Sequence, residues 1–350
     1  MRRICAVWTA ILMATMGLSA QIFCWNLENY FDTYNDPVTA DDPFTPCGEY
    51  RWTRRKETTK RNLIARTIIA SAECFGGELP ALVGLCEEEN ALVLKRLVED
   101  TPLAKVRYRY IHRDSPDPRG IDVALLYDPA RVRVLDYGFI TVRGFATREI
   151  LYARVVFGGG AAGPEGGGSN ASATDGSAEQ NAAQTAAPSG GSRPSDTLHL
   201  YVNHWPSKYS GAKASEAKRR AVCDALEHNL DSLLAAEPAA KIILMGDFND
   251  TPSAPTITAL TQRQNLINLT ENLPGGTIRF KGKWEMIDQL LASPAAAALI
   301  EAVDIYKPAF LLEEDKEFLG FKPRRTNVGP RYNGGASDHL PVVACLKETF

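Results

Sequence analysis

Residues 241–250 read KIILMGDFND, and this stretch decides the fold class. Its apolar run is the length of a strand rather than a helix, and nothing in it is polar enough to face water, so it reads as a buried strand. The polar groups begin where the apolar run stops, at Asp247 and Asn249. The same change recurs along the chain. Asn26 ends FCWN, Glu87 ends ALVGLCE and His204 ends LYVNH, while Asp288 sits within WEMIDQLL and Asp338–His339 precede LPVVACL. Taken singly, each residue also fits turn chemistry or a structural histidine. Together, carboxylates, amides and imidazoles at strand ends converge on one edge of a sheet, where α/β enzymes place their sites.

Working outward, strands are expected at 22–25, 81–85, 106–112, 121–127, 150–157, 197–202, 286–291 and 340–346, and helices at 61–74, 91–99 and 215–235. A long polar loop runs through Trp52. Strands mixed with helices, several of them adjacent in sequence, point to an α/β fold in which sheets are covered by helices.

The chain has 350 residues, 39 basic and 42 acidic, and is 45% hydrophobic and 23% charged. That composition excludes a disordered chain, a collagen-like repeat and a multi-span membrane protein. Arg2 and Arg3, an apolar stretch from Ile4 to Leu18, and the small residues Ser19 and Ala20 make residues 1–20 a secretory signal peptide. The apolar part, roughly 15 residues, is shorter than the ~20 a spanning helix needs. Cleavage would take the net charge from −3 to −5 by removing two arginines and no acid, which disfavours a broad basic face for duplex binding. Export permits disulfides, yet the six cysteines left after Cys5 show no framework. Cys24, Cys86, Cys223 and Cys345 read as buried thiols, and Cys47 lies in a polar loop. Cys86 is expected to point away from Glu87 and Cys24 to share Asn26's face, which argues against a Cys24–Cys86 disulfide.

Residues 158–196 contain no aromatic residue and no Val, Ile or Leu. Such a segment cannot offset its ordering entropy and reads as a disordered insert between two strands of one domain. Removing the signal and the insert leaves a single α/β domain within residues 21–350, of roughly 290 residues.

Hard oxygen donors such as Glu87, Asp247, Asn26 and Asp338 suit Mg²⁺, Mn²⁺ or Ca²⁺ better than zinc. Two histidines with carboxylates to orient them suit proton transfer, and a cation with imidazole suits phosphate-ester hydrolysis. No G-x-S-x-G elbow, H-E-x-x-H helix or Walker loop competes.

The segments NLEN, GLCEEEN, RGIDVALLY, NHWPS, GDFND, IDQLL and SDHLPV, in this order, resemble the endonuclease/exonuclease/phosphatase superfamily, most of all its exported Bacteroidetes-type members. The resemblance implies a deoxyribonuclease I-like four-layer sandwich of two packed mixed β-sheets flanked by helices. It implies Glu87 as principal ligand of Mg²⁺ (or Mn²⁺ or Ca²⁺), with Asn26 and Asp338 beside it. His339 would serve as general base or water-orienting group, held by Asp288. His204 would contact the scissile phosphate, and Asp247 and Asn249, two apart on a strand, would position phosphate and nucleophile. The acidic partner of His204 is Asp114 or Asp117, and Arg119 is a further substrate-contact candidate.

Weaker signals complete the reading. Residues 51–61, with six basic side chains and one acidic, offer a phosphate-binding rim on which Trp52 could stack a base, or a solvated loop and helix start. Asp36, Asp41 and Asp42 fit a second Ca²⁺ or turn chemistry. Lys322, Arg324 and Arg325 are substrate-contact candidates, and Glu88 and Glu89 add solvated charge. The expected protein is an exported (periplasmic or extracellular), monomeric, metal-dependent phosphodiesterase acting on nucleic acid, with no stable membrane insertion. Phosphomonoesters, phospholipids and inositol phosphates are alternative substrates, and an inert binding module is the alternative of another class. No aromatic membrane-inserting hairpin is visible in the sequence, which counts against lipid.

Overall fold

The computed structural model describes residues 20–74, 76–158, 197–208 and 211–347, without the side chains of 212–214. The expected signal peptide and low-complexity insert lie outside these residues, apart from Ala20 and Gly158.

The strands are β1 (Gln21–Tyr30), β2 (Leu82–Glu88), β3 (Arg109–Ile111), β4 (Asp122–Tyr127), β5 (Val132–Ile140), β6 (Ile150–Phe157), β7 (Thr197–His204), β8 (Lys241–Asp247), β9 (Ile267–Asn268), β10 (Ile278–Phe280), β11 (Lys283–Glu285), β12 (Asp288–Ala292), β13 (Ile300–Ile305), β14 (Leu312–Glu314), β15 (Phe321–Pro323), β16 (Asn327–Val328), β17 (Arg331–Tyr332) and β18 (Val342–Leu346). The helices are α1 (Arg54–Ala70), α2 (Ala91–Glu99), α3 (Ala212–Ala236), α4 (Pro255–Arg263) and α5 (Pro294–Ala297). Twelve strands form two six-stranded sheets, β13-β18-β1-β2-β4-β3 and β5-β6-β7-β8-β12-β9. Each sheet is antiparallel except for one central parallel pair, β1–β2 in the first and β7–β8 in the second. A parallel pair needs a crossover, and the helices supply it: α1 joins β1 to β2, and α3 joins β7 to β8.

Strand alternation builds the layers. In β1, Phe23, Trp25 and Leu27 face a core shared with α1 and α2, while Ile22 and Cys24 face the second sheet. In β8, Ile242 and Leu244 face α3 and α4, while Ile243 and Met245 face the first sheet. The result is the expected four-layer sandwich of helix, sheet, sheet and helix. The inter-sheet layer is close-packed: a Cβ on Gly84 would lie 2.9 Å from the Met245 side chain.

Some boundaries differ from the expectation. α1 begins at Arg54, not Arg61, because its polar first turns cover the site's underside: Glu57 and Lys60 are buried. β5 escapes sequence detection because it is an edge strand with charged and half-exposed positions. The cysteine geometry is also corrected. All six described cysteines are free, but Cys24 and Cys86 lie on the same inter-sheet face rather than opposite ones.

Candidate active site

The inward-facing positions of four strands stay apolar until they reach the same end of the sandwich. Ile22–Cys24–Asn26 in β1, Leu200–Val202–His204 in β7, Ile243–Met245–Asp247 in β8 and, read backwards, Ala292–Leu290–Asp288 in β12 each end in a polar group. The period of two that fills the inter-sheet core thus delivers four polar side chains to one end of it. Asp288 and Asp247 are register partners, as are His204 and Asp247. Gly246 makes the junction: its φ of 135° and a virtual Cβ only 1.9 Å from the Asn203 carbonyl oxygen leave no room for a side chain.

Glu87 arrives by another route. The β1–β2 register shifts after Asn26–Cys86, and Glu87 takes a left-handed φ of 65°. This bulge turns its carboxylate toward the same edge, where Oε2 accepts the Asn29 amide at 2.9 Å. The Asn26 side-chain NH₂ bridges Glu87 Oε1 at 3.2 Å and Asp247 Oδ2 at 3.0 Å, while its oxygen accepts the Glu28 amide. Asn249 does not continue the strand, contrary to the i, i+2 expectation. It too is left-handed, and it reaches the site through an Asx turn, its amide donating to Asp247 Oδ1 at 2.8 Å and its side chain to Asp247 Oδ2 and the Trp205 carbonyl.

The two histidines have opposite electrostatics. His339 Nδ1 lies 2.7 Å from Asp288 Oδ2, and Nε2 faces Asp247 and Asp338 at 4.0 and 3.8 Å. Burial disfavours its charged form, but Asp288, then Asp247 and Asp338, outweigh burial and raise the imidazole well above its ordinary value. His204 Nε2 lies 3.5 Å from Glu87 and 3.8 Å from Asp247. Burial, followed by Arg148, Arg119 and His339, holds His204 well below its ordinary value, so it stays neutral. Asp247 is pushed up to about 7, by burial first and Asp288 second.

Glu87, Asp247, Asn249, Asp338, His339, Asp117 and Arg119 line one cavity of about 560 Å³, while Asn26, His204 and Asp288 are buried. Asp117 and Asp114, the alternatives for a partner of His204, both go elsewhere. Asp117 accepts from Arg148 at 2.7 Å and Arg119 at 3.3 Å, and these arginines overcome the effect of burial and keep its carboxyl low. Asp114 approaches His112 instead. His204 Nδ1 has no hydrogen-bond partner among the described residues.

Three contributors escape the sequence reading. Arg148 is buried, lines the cavity and donates to Asp117 and to the Trp205 carbonyl, both at 2.7 Å. A charge placed just before the apolar strand ILYARVVF was the available signal. Glu28, inside the NLEN segment, accepts from Arg325 and from the Thr326 amide, and burial with Asp338 raises it to about 7. Lys60 is buried beneath, its ammonium donating to the carbonyls of Glu28 at 2.8 Å and Ala336 at 2.9 Å, which ties β1 to the segment before Asp338. Burial lowers its pKa to about 8.

The weaker signals resolve as follows. Trp52 is fully buried and donates to the Phe31 carbonyl, so it cannot stack a base, and Arg54, Arg55 and Lys56 lie outside the cavity. Asp36, Asp41 and Asp42 accept local amides, as turn residues do. Arg325 lines the cavity and pairs with Asp338 at 2.8 Å, and Lys322 lines a neighbouring cavity, whereas Arg324 bonds the Asn333 carbonyl. Glu88 and Glu89 are buried, not solvated. An aromatic rim does exist: Phe280 on β10, Phe321 on β15 and Phe318 and Leu319 between β14 and β15 are all exposed. Short hairpins of mixed residues hide that rim from sequence periodicity. Phe280 and Phe318 line the second cavity, about 640 Å³, which shares Asn249, Arg325 and Asp338 with the first.

The donor set fits a hard divalent ion. Glu87, Asp247, Asp288 and Asp338 bring carboxylate oxygen to one end of the sandwich, where burial first and the Asp288 charge second raise Asp247. Asp247, Asp288 and His339 also lie within ligand distance of one another.

Packed mixed sheets with a carboxylate–imidazole cluster at one end define a phosphoester-hydrolase architecture. The chain belongs to the Endonuclease/Exonuclease/phosphatase family, whose sequence profile matches residues 21–159 and 182–348. Solved structures with the same fold include an endonuclease/exonuclease/phosphatase family protein from Bacteroides thetaiotaomicron (16% identity, TM-score 0.51, covering 94% of this chain and 95% of that one). A mannosyl-6-phosphatase from the same organism is 14% identical (TM-score 0.53, 94% and 100% covered). The human Nocturnin catalytic domain with bound sulfate anion is also 14% identical (TM-score 0.53, 94% of each chain covered). No individually curated protein sequence matches.

Proposed function

We propose that this protein is an exported, divalent-metal-dependent phosphodiesterase that cleaves nucleic acid by attack of an activated water. The observation that carries it is the Asp288–His339 pair, whose free Nε2 faces a cavity walled by Glu87, Asp247 and Asp338. Asp288 fixes the tautomer and stabilises the imidazolium that forms when Nε2 takes the proton of water. His204, kept neutral and buried behind Glu87 and Asp247, offers Nε2 as a hydrogen-bond donor to the phosphate. Asn249 and Asp247 orient phosphate and nucleophile, and Arg119, Arg148 and Arg325 give the cavity the charge to hold an anion. Glu87 and Asp338, with Asn26 beside them, would hold the cation, which when bound supplies Lewis-acid stabilisation of the phosphoryl oxygens. The export reading rests on residues 1–20 and is tested by sequencing the N-terminus of the mature protein.

The aromatic, basic second cavity supports strand binding through stacking, with Arg279, Lys281 and Lys322 near Phe280 and Phe318. The same rim favours a second reading, a phosphodiester carrying an apolar tail, such as a phospholipid. Plasmid nicking by the mature protein with Mg²⁺, beside EDTA and His204→Ala controls, tests the first. Nicking lost in both controls supports it. A folded protein that does not nick DNA but releases headgroup phosphate from phospholipid vesicles replaces it with the second.

A further inference from the structure

We propose that His112, Asp114 and Asp122, with the buried carboxylate of Glu88 beside Asp122, form a second divalent-cation site, on the opposite face of the first sheet from the candidate active site. Alternation sets its position. Tyr110 packs toward the outer core and Ile111 toward the inter-sheet core, so His112, next in line, returns to the outer side. Val123 faces inward, which puts Asp122 outward, and Asp122 is the register partner of Glu88 across β2–β4. Directly opposed antiparallel residues share a face.

His112 Nε2 lies 3.3 Å from Asp122 Oδ2, and His112, Asp114 and Asp122 each offer a ligand atom within 4.8 Å of the others. Glu88 supplies the independent observation. It is 0% exposed, and neither of its carboxylate oxygens has a hydrogen-bond partner among the described residues. A buried carboxylate without partners is costly unless a cation or proton compensates it. Among the described residues, no Lys or Arg comes within ion-pair distance of Glu88, Asp114 or Asp122. Asp117, a few residues away, holds two arginines. One imidazole with two carboxylates, and the Glu88 charge beside them, suits a borderline ion such as Zn²⁺ or Mn²⁺ better than Mg²⁺ or Ca²⁺, which prefer oxygen alone. Such an ion would pin the end of β2, and with it the bulge at Glu87, to β4.

The test is the Zn²⁺ and Mn²⁺ content of the full mature protein after loading and desalting, read by plasma mass spectrometry. It is run on the wild type, His112→Gln, Asp114→Asn and Asp247→Asn. The wild type and Asp247→Asn should retain one equivalent that His112→Gln loses. Asp114→Asn, whose side chain is 70% exposed and whose folding is therefore secure, should bind at least about tenfold more weakly by calorimetry. Retention of the same equivalents and affinity by Asp114→Asn would overturn the site. So would a wild type whose bound ion disappears entirely in Asp247→Asn.

Discussion

Glu87 and Glu88 are neighbours in the chain, yet they belong to two different carboxylate clusters on opposite faces of one sheet. Glu87, turned by its left-handed backbone, joins Asn26 and Asp247 at a cavity open to substrate. Glu88 stays in register with Asp122 and is closed from solvent. The open cluster has arginines around it and a histidine pair with divergent proton affinities. The cluster beside Glu88 has a single histidine and no basic counter-charge among the described residues. The difference teaches that chemistry follows from which face and which opening a carboxylate reaches, not from its sequence neighbourhood.

Substitution at Glu87 should break that comparison most sharply. Glu87→Gln is expected to lower phosphodiester turnover about 10³-fold or more, since several kcal/mol of charge stabilisation is lost. Glu88→Gln in the same assay should cost about tenfold at most. Equal losses would mean that the two faces are one functional unit.

Next comes the histidine dyad. His339→Ala should lose about 10²–10⁴-fold in turnover. Because Asp288 raises the His339 imidazole, and a base must be unprotonated, activity should rise with pH through a value above 6.5. Asp288→Asn removes that support, so the acid limb of the pH–rate profile should move down while the plateau falls. An unmoved limb would detach Asp288 from His339.

Gly246→Ala tests the scaffold and not the chemistry. The added methyl collides with the Asn203 carbonyl at a φ only glycine favours, and a loss of about 1–3 kcal/mol in urea unfolding is expected.

A subtler effect should appear in cation-free protein. Burial and Asp288 push folded Asp247 up to about 7, above the ~3.9 of an unperturbed aspartate, so the native state binds the extra proton between those values. Stability from this group is therefore present at low pH and is lost as pH rises from about 4 to 7. Melting temperature in EDTA should fall over that window, and saturating Mg²⁺ should flatten the fall. The smallest effect belongs to Arg54, Arg55 and Lys56. Their joint replacement by Ala should change substrate affinity by less than about threefold, in line with the ±0.5 kcal/mol usual for surface positions.

Most of the site was legible because strand ends are legible. An apolar run that stops at Asn26, His204 or Asp247 announces both the strand and the polar group at its tip. Arg148 and Lys60 were not legible in the same way, since nothing local says that a basic side chain will be buried against carbonyls distant in sequence. Nor could the sequence choose a partner for His204, because Asp117's capture by Arg148 depends on how β6 lies beside the loop before β4. The exposed aromatic rim was hidden for a related reason: Phe280, Phe318 and Phe321 come together only when two short hairpins meet.

What the sequence by itself determined is the alternation, the order of the strands' apolar runs and the residue types at their ends. Those are local properties, written in a period of two residues. The tertiary structure alone decided which carboxylates share an opening, through a backbone bulge at Glu87, a glycine contact at Gly246 and the packing of two sheets. Side chains far apart in the chain acquire mutual electrostatics only when non-local packing removes the water between them.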